Sequence, residues 1–260
     1  MTNTHCRYLQ ILLCLLLTSC LTGKNKLKPT QILETKREDL NLFDNIRARS
    51  IPVALYMAKS NQKTRNQKVV IINHGYEANK GKSNLGYSYL AETLASKGYF
   101  VASIQHELPT DSLLPLTGIP QIVRRTNWER GVANILFVIN ELKKIRPELD
   151  YKHLSLIGHS NGGDMTMLFA QKYPSLVEKA ISLDNRRVAI PRTKQPEIYS
   201  LRSNDQPADL NVLPTLAEQN KYGIKIIQLS NTGHNAMDDY GNKEQKEEIK
   251  NYILDFLNDD

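Results

Sequence analysis

A serine bracketed by glycines, Gly158-His159-Ser160-Asn161-Gly162, is the segment of this 260-residue chain whose residue types could make a nucleophile. A serine hydroxyl attacks poorly until a base takes its proton, so the chemistry needs geometry as well as the side chain. Gly-x-Ser-x-Gly supplies that geometry where a strand turns sharply into a helix. The serine backbone is strained there, and the glycines leave room for neighbouring backbone. The N–H of Asn161, at the start of the helix, would then face a developing oxyanion. The surrounding sequence fits this placement. His153-Leu154-Ser155-Leu156-Ile157 before the motif has a strand pattern, residues 162–173 after it have a helical one, and Gly163 lets that helix begin close to the sheet.

The serine requires a base, and the chain has six histidines. His5 belongs to a leading segment, and His74, His106, His153 and His159 all precede Ser160, the wrong chain order for this arrangement. His234, in the loop after the apolar run Ile226-Ile227-Gln228-Leu229, is therefore the expected base, accepting the serine proton and returning it to the leaving group. The acid that orients it is expected at Asp205, at the end of a strand pattern beginning at Glu197. Asp209 lies further along the same loop. Asp184, after the preceding strand, is the alternative, but its neighbours Arg186 and Arg187 suggest a salt-bridged structural carboxylate.

A second oxyanion donor is expected in His74-Gly75-Tyr76, after an earlier central strand. There Gly75 permits close backbone approach, the Tyr76 N–H donates, and the Tyr76 ring shapes the acyl pocket. His74 reads as a buttress of that loop. Residues 107–126 lose any clear period and read as an excursion over the site, with Leu113, Leu114 and Trp128 expected to wall the substrate pocket. Chemistry of this kind calls for no metal and no organic cofactor.

The elements that must position these residues follow from the apolar pattern. Short β-branched runs alternate with helical periods, the signature of a mostly parallel sheet covered on both faces. Strands are expected at residues 32–36 and 51–57, as an antiparallel edge pair, and then at 68–73, 99–104, 153–158, 179–183, 197–201 and 224–229. A helix over 89–97 ends at Gly98. Val132, Ile135, Leu136, Ile139, Leu142 and Ile145 mark a second, and Ile249, Tyr252, Ile253, Phe256 and Leu257 a last one that closes the domain.

Strand, His-Gly loop, Gly-x-Ser-x-Gly turn, then Asp and His in that order resemble the α/β-hydrolase superfamily over nearly all of residues 51–260. Arg49-Ser50-Ile51-Pro52-Val53-Ala54-Leu55-Tyr56 is also similar to the early strand of dienelactone-hydrolase-like and platelet-activating-factor-acetylhydrolase-like members. The nucleophile here is serine and not cysteine, so dienelactone substrates do not carry over. The resemblance implies an α/β-hydrolase fold with a minimal cap. It also implies cleavage of a small-molecule carboxylic ester through an acyl-enzyme, with Ser160, His234 and Asp205 as triad. Amidase, peptidase and acyltransferase chemistry would use the same triad, and a non-catalytic surface lipoprotein using the fold as a binding module stands as an alternative of another class.

Composition bounds the rest. At 40% hydrophobic residues the chain is long enough for one large domain, expected over residues 29–260. Its formal charge is +7, but the basic residues are scattered among acidic ones with no aromatic-interleaved stripe, which argues against nucleic acid. Residues 1–19, with Arg7 and the run Ile11-Leu12-Leu13-Cys14-Leu15-Leu16-Leu17, read as a secretory signal too short to span a bilayer. Leu17-Thr18-Ser19-Cys20 resembles a bacterial lipobox, which implies lipidation of Cys20, a tether over residues 20–28, and a site facing the periplasm from the outer membrane. A soluble secreted form is the alternative. Cys6 and Cys14 leave with the signal, so no disulfide is expected.

Overall fold

Alternating side chains divide the sheet between two cores, and this two-sided burial makes the strands read as continuous apolar runs. The structure, a computed structural model, describes residues 33–59 and 65–259, which fall within one unit, Gln31–Asp260. The expected signal, Cys20 and tether lie outside the described residues. In chain order the elements are β1 (Thr35–Asp44), β2 (Arg49–Ala58), β3 (Lys68–Asn73), α1 (Ser88–Ser96), β4 (Phe100–Ile104), α2 (Pro120–Val123) and α3 (Arg125–Ile145). These are followed by β5 (Asp150–His159), α4 (Ser160–Lys172), β6 (Lys179–Leu183), β7 (Glu197–Arg202), α5 (Leu216–Tyr222), β8 (Lys225–Gln228) and α6 (Lys243–Asn258).

The eight strands form one sheet in the order β1-β2-β4-β3-β5-β6-β7-β8, parallel from β4 to β8 and antiparallel at β1–β2 and β2–β4. This is the mostly parallel α/β architecture expected from the sequence. In β3, Val69 and Ile71 face one core while Val70 and Ile72 face the other. The first core is covered by α3 and α4 through Val132, Ile135, Ile139, Leu142, Met165, Leu168 and Phe169. The second is covered by α1 and α6 through Leu90, Leu94, Ile249, Ile253 and Phe256. Each such side chain, taken fully out of water, contributes about 1.5–3 kcal/mol.

Several boundaries differ from the sequence reading. The first strand runs over Thr35–Asp44 rather than 32–36, and all ten of its residues pair with β2. Its Lys36-Arg37-Glu38-Asp39 stretch has no apolar run, so pairing and the packing of Leu40 and Leu42 on the core place it there. The segment over 107–126 is not wholly irregular, since α2 occupies Pro120–Val123 and α3 already begins at Arg125. An unanticipated helix, α5, starts at a capping box in which Thr215 accepts from the Glu218 N–H and the Glu218 carboxylate accepts from the Thr215 N–H.

Candidate active site

The parallel strands deliver their carboxyl ends to one edge of the sheet, where sites in such sheets are built. Central strand β5 ends at His159, and the chain turns directly into α4 at Ser160, whose φ of +52° lies in the left-handed region. A residue with a Cβ holds that conformation only where its surroundings impose it. Two glycines allow the surroundings to do so. A Cβ on Gly158 would strike the Gly162 carbonyl and the Thr166 hydroxyl, and one on Gly162 would strike the carbonyls of Asn73 and His74 at the end of β3.

His234, in a short 3-10 turn after β8, reaches the serine with Nε2 2.9 Å from Ser160 Oγ. Its other nitrogen, Nδ1, lies 2.5 Å from Oδ2 of Asp184, which is fully buried one residue past β6. Asp205 does not reach the imidazole, which corrects the expectation from sequence. It is exposed, three residues past β7, and its Oδ1 accepts the backbone N–H of His234 at 2.7 Å. The sheet order explains the exchange. β6 is hydrogen-bonded to β5, so a residue just past its end lies beside the turn at Ser160, whereas β7 is one strand further out.

The sequence pointed to Arg186 and Arg187 as partners of Asp184, but they turn elsewhere: Arg187 pairs with Asp209 and Arg186 donates to Gln206. The charge on Asp184 is Arg202, at the end of β7, with a buried N···O separation of 2.7 Å. Ser203 adds two more contacts, donating its N–H to Oδ1 at 3.1 Å and its hydroxyl to Oδ2 at 2.7 Å. Burial raises the Asp184 carboxyl pKa, but the hydrogen bond to His234, the Arg202 charge and the Ser203 bonds outweigh it and hold the group below the usual carboxylate range. Arg202 and Ser203 were missed in the sequence because a strand-terminal Arg-Ser pair carries no local signal of which neighbour it serves.

Tyr87, on the turn into α1, ties the loop after β3 to the serine turn. Its hydroxyl accepts the Gly75 N–H at 3.0 Å and lies 2.6 Å from His159 Nδ1. Burial above all, then the neighbouring His234, pushes the His159 pKa down to about 3, so the ring is neutral. His74 buttresses the same loop, with Nδ1 2.6 Å from the Gly75 carbonyl and Nε2 accepting the His106 N–H at 2.9 Å.

A cavity of about 310 Å³ opens over Ser160 and His234, lined also by Tyr76, Glu77, Asp238 and Tyr240. Tyr76 lines the cavity, and its hydroxyl accepts the Leu114 N–H at 2.9 Å. The other expected wall residues are not in the lining. Leu113 is 66% exposed, Leu114 is buried, and Trp128 is buried on α3 with its Nε1–H donating to Asn161 Oδ1 at 2.9 Å. The cavity is thus more polar and more acidic than the sequence suggested. Burial, with Glu77 and Asp239 nearby, raises the Asp238 carboxyl above its ordinary range. Asn161 follows Ser160 in the first turn of α4, where backbone N–H groups have no acceptor within the helix. Among the described residues no group of three or more His, Cys, Asp or Glu side chains is arranged to hold a metal.

The chain belongs to the α/β-hydrolase-fold family, whose model matches residues 68–213. It is similar to a probable serine hydrolase of Drosophila melanogaster, at 27% identity over 109 residues, 41% of this chain and 33% of that protein. The match thus spans about a third of the fly protein's length. In structure it is similar to esterase Est22, solved with p-nitrophenol, with a TM-score of 0.62 at 12% identity over 87% of this chain and 81% of that one. It is also similar to the dienelactone hydrolase-like promiscuous phosphotriesterase P91 from metagenomic libraries, with a TM-score of 0.63 at 12% identity over 86% and 98%. At such identities these likenesses concern the fold.

Proposed function

We propose that this protein is a serine hydrolase that cleaves a carboxylic ester through an acyl-enzyme, with Ser160 as nucleophile, His234 as general base and acid, and Asp184 as the orienting acid. The observation that carries the reading is the unbroken line Asp184–His234–Ser160, at 2.5 and 2.9 Å, opening into a cavity. In this mechanism His234 takes the hydroxyl proton as Ser160 Oγ adds to the ester carbonyl, and Asp184 stabilises the imidazolium that forms. The N–H groups of Asn161 and Tyr76 hold the oxyanion. The tetrahedral intermediate then collapses with proton return to the departing alcohol. Water repeats the sequence on the acyl-enzyme, releasing the acid and restoring the serine.

A fluorophosphonate probe tests the reading. Ser160 is expected to be labelled and the Ser160→Ala variant not, and folded wild type that resists labelling would overturn it. Turnover of p-nitrophenyl esters graded in acyl length, beside the matching anilides and with added alcohol as acceptor, separates ester hydrolysis from amide cleavage and acyl transfer. We further propose that Cys20 carries a lipid anchor that holds this domain at a membrane. The support is the Leu17-Thr18-Ser19-Cys20 sequence. Expression in a bacterial host is expected to place the full chain in the membrane fraction and Cys20→Ala in the soluble fraction, and equal partitioning of the two would refute the anchor.

A further inference from the structure

Beside the serine turn, the side chain of Asn161, which with Trp128 and Glu107 is not in the cavity lining, is held from two directions. Trp128 Nε1–H donates to its Oδ1 and its Nδ2 donates to Oε1 of Glu107, each at 2.9 Å. Trp128 and Glu107 are 1% and 2% exposed, and the second carboxyl oxygen of Glu107 has no hydrogen-bond partner. A carboxyl taken this far out of water and given so few bonds is an expensive feature unless it serves a purpose. The groups around it identify that purpose.

We propose that Glu107 and Trp128 are positioning residues for the oxyanion hole: by gripping the Asn161 amide from both sides they hold the strained Ser160–Asn161 peptide with its N–H toward the substrate carbonyl. This rests on the hydrolase reading above. A serine at positive φ gains stability by relaxing, and relaxation rotates the peptide that follows it. Asn161 is the next residue, so a grip on its side chain opposes that rotation without touching the substrate.

The grip on Asn161 uses Glu107 as a hydrogen-bond acceptor through Oε1. His74 accepts the His106 N–H at Nε2, which leaves its own proton on Nδ1, facing the Gly75 carbonyl. The nearest oxygen of Glu107 lies 3.6 Å from His74 Nε2. Burial raises the Glu107 carboxyl above its ordinary range against the opposing influence of His74 and Arg130, while Asp111 adds to the rise. A glutamine therefore reproduces the acceptor that Asn161 uses, and leucine removes it at similar volume.

The experiment compares Glu107→Leu, Glu107→Gln, Trp128→Phe and Asn161→Ala by steady-state hydrolysis of p-nitrophenyl acetate, fluorophosphonate labelling rate and thermal melting. Glu107→Leu, Trp128→Phe and Asn161→Ala are expected to lower kcat and labelling rate by about tenfold or more, toward the loss of an oxyanion donor, with KM within about twofold. Glu107→Gln is expected to recover most of what Glu107→Leu loses. Combining Glu107→Leu with Trp128→Phe should cost less than the product of the single effects, because both act through one side chain. Asn161→Ala removes the gripped group and keeps the backbone donor, so it decides the matter if the other two fail to fold. Folded variants with wild-type kcat, a change confined to KM, or equal losses in Glu107→Gln and Glu107→Leu would overturn the proposal. Wild type that is not labelled at all would instead remove the hydrolase reading on which it rests.

Discussion

Two aspartates compete for one histidine, and they bind different parts of it. Asp184 meets the ring and Asp205 the backbone, so their substitutions should separate. Asp184→Asn is expected to lower kcat on p-nitrophenyl acetate by about 10⁴-fold, because the amide favours the wrong imidazole tautomer. Asp205→Asn, which weakens one hydrogen bond to a loop, is expected to lower it by about tenfold or less. The reverse ranking would restore Asp205 as the acid. Chain order and strand ends put both among the candidates, but they could not rank them, since Arg202 and Ser203 turn onto Asp184 only once β6 and β7 are neighbours. The cavity carries a second prediction. Glu77 and Asp238 line it beside the serine, so a p-nitrophenyl hemisuccinate is expected to show lower kcat/KM than the butyrate. Added salt should narrow the gap through screening. Equal kcat/KM at low salt would show that the two carboxylates do not face the acyl chain.

Elements place these residues, and the closeness of their packing sets the tolerance. Gly162 lies where α4 passes the end of β3, and a methyl group there meets two backbone carbonyls that cannot swing aside. Gly162→Ala is therefore expected to destabilise the fold by about 1–3 kcal/mol or more and to abolish fluorophosphonate labelling, read by melting and gel fluorescence. An unaltered melting temperature with normal labelling would mean that the serine turn can shift. The central strands were legible in the sequence because burial on both faces leaves an unbroken apolar run, as in Val69-Val70-Ile71-Ile72. Strand β1 was misplaced because its register comes from β2, ten residues paired along their whole length, and not from its own charged sequence. For α5 the Thr215-x-x-Glu218 signal is present in the chain, but the helix has only seven residues and no buried face to give it a period. Trp128 illustrates a different loss. Periodicity marked its helix only from Val132 onward and left Trp128 to the pocket wall, and nothing local shows which neighbour its indole N–H finds.

For the molecule as a whole, burial of one acid sets a pH dependence. Asp164 lies in α4, one turn after Ser160, where its Oδ1 accepts the N–H groups of Arg187 and Val188 at 2.9 and 2.8 Å. Burial outweighs these bonds and raises its pKa to about 6 from 3.8. The folded state thus binds this proton more tightly than the unfolded chain does. Its contribution is fully present below pH 3.8 and is lost as pH rises through 6, a change of roughly 3 kcal/mol. Asn at this position keeps the Oδ1 acceptor and has nothing to ionise. Asp164→Asn is accordingly expected to melt higher than wild type at pH 8 by a margin that shrinks toward pH 4. A margin independent of pH would refute the linkage. The outer rims of the sheet bear on how molecules meet one another. Strand β1 carries ion pairs Lys36–Glu38 and Arg37–Asp39 along its exposed length, and β8, at the opposite rim, is only four residues long. A foreign strand adding to β1 would have to displace or desolvate those charges, and one adding to β8 would gain few hydrogen bonds. Both rims are therefore poor templates for strand addition by a second copy.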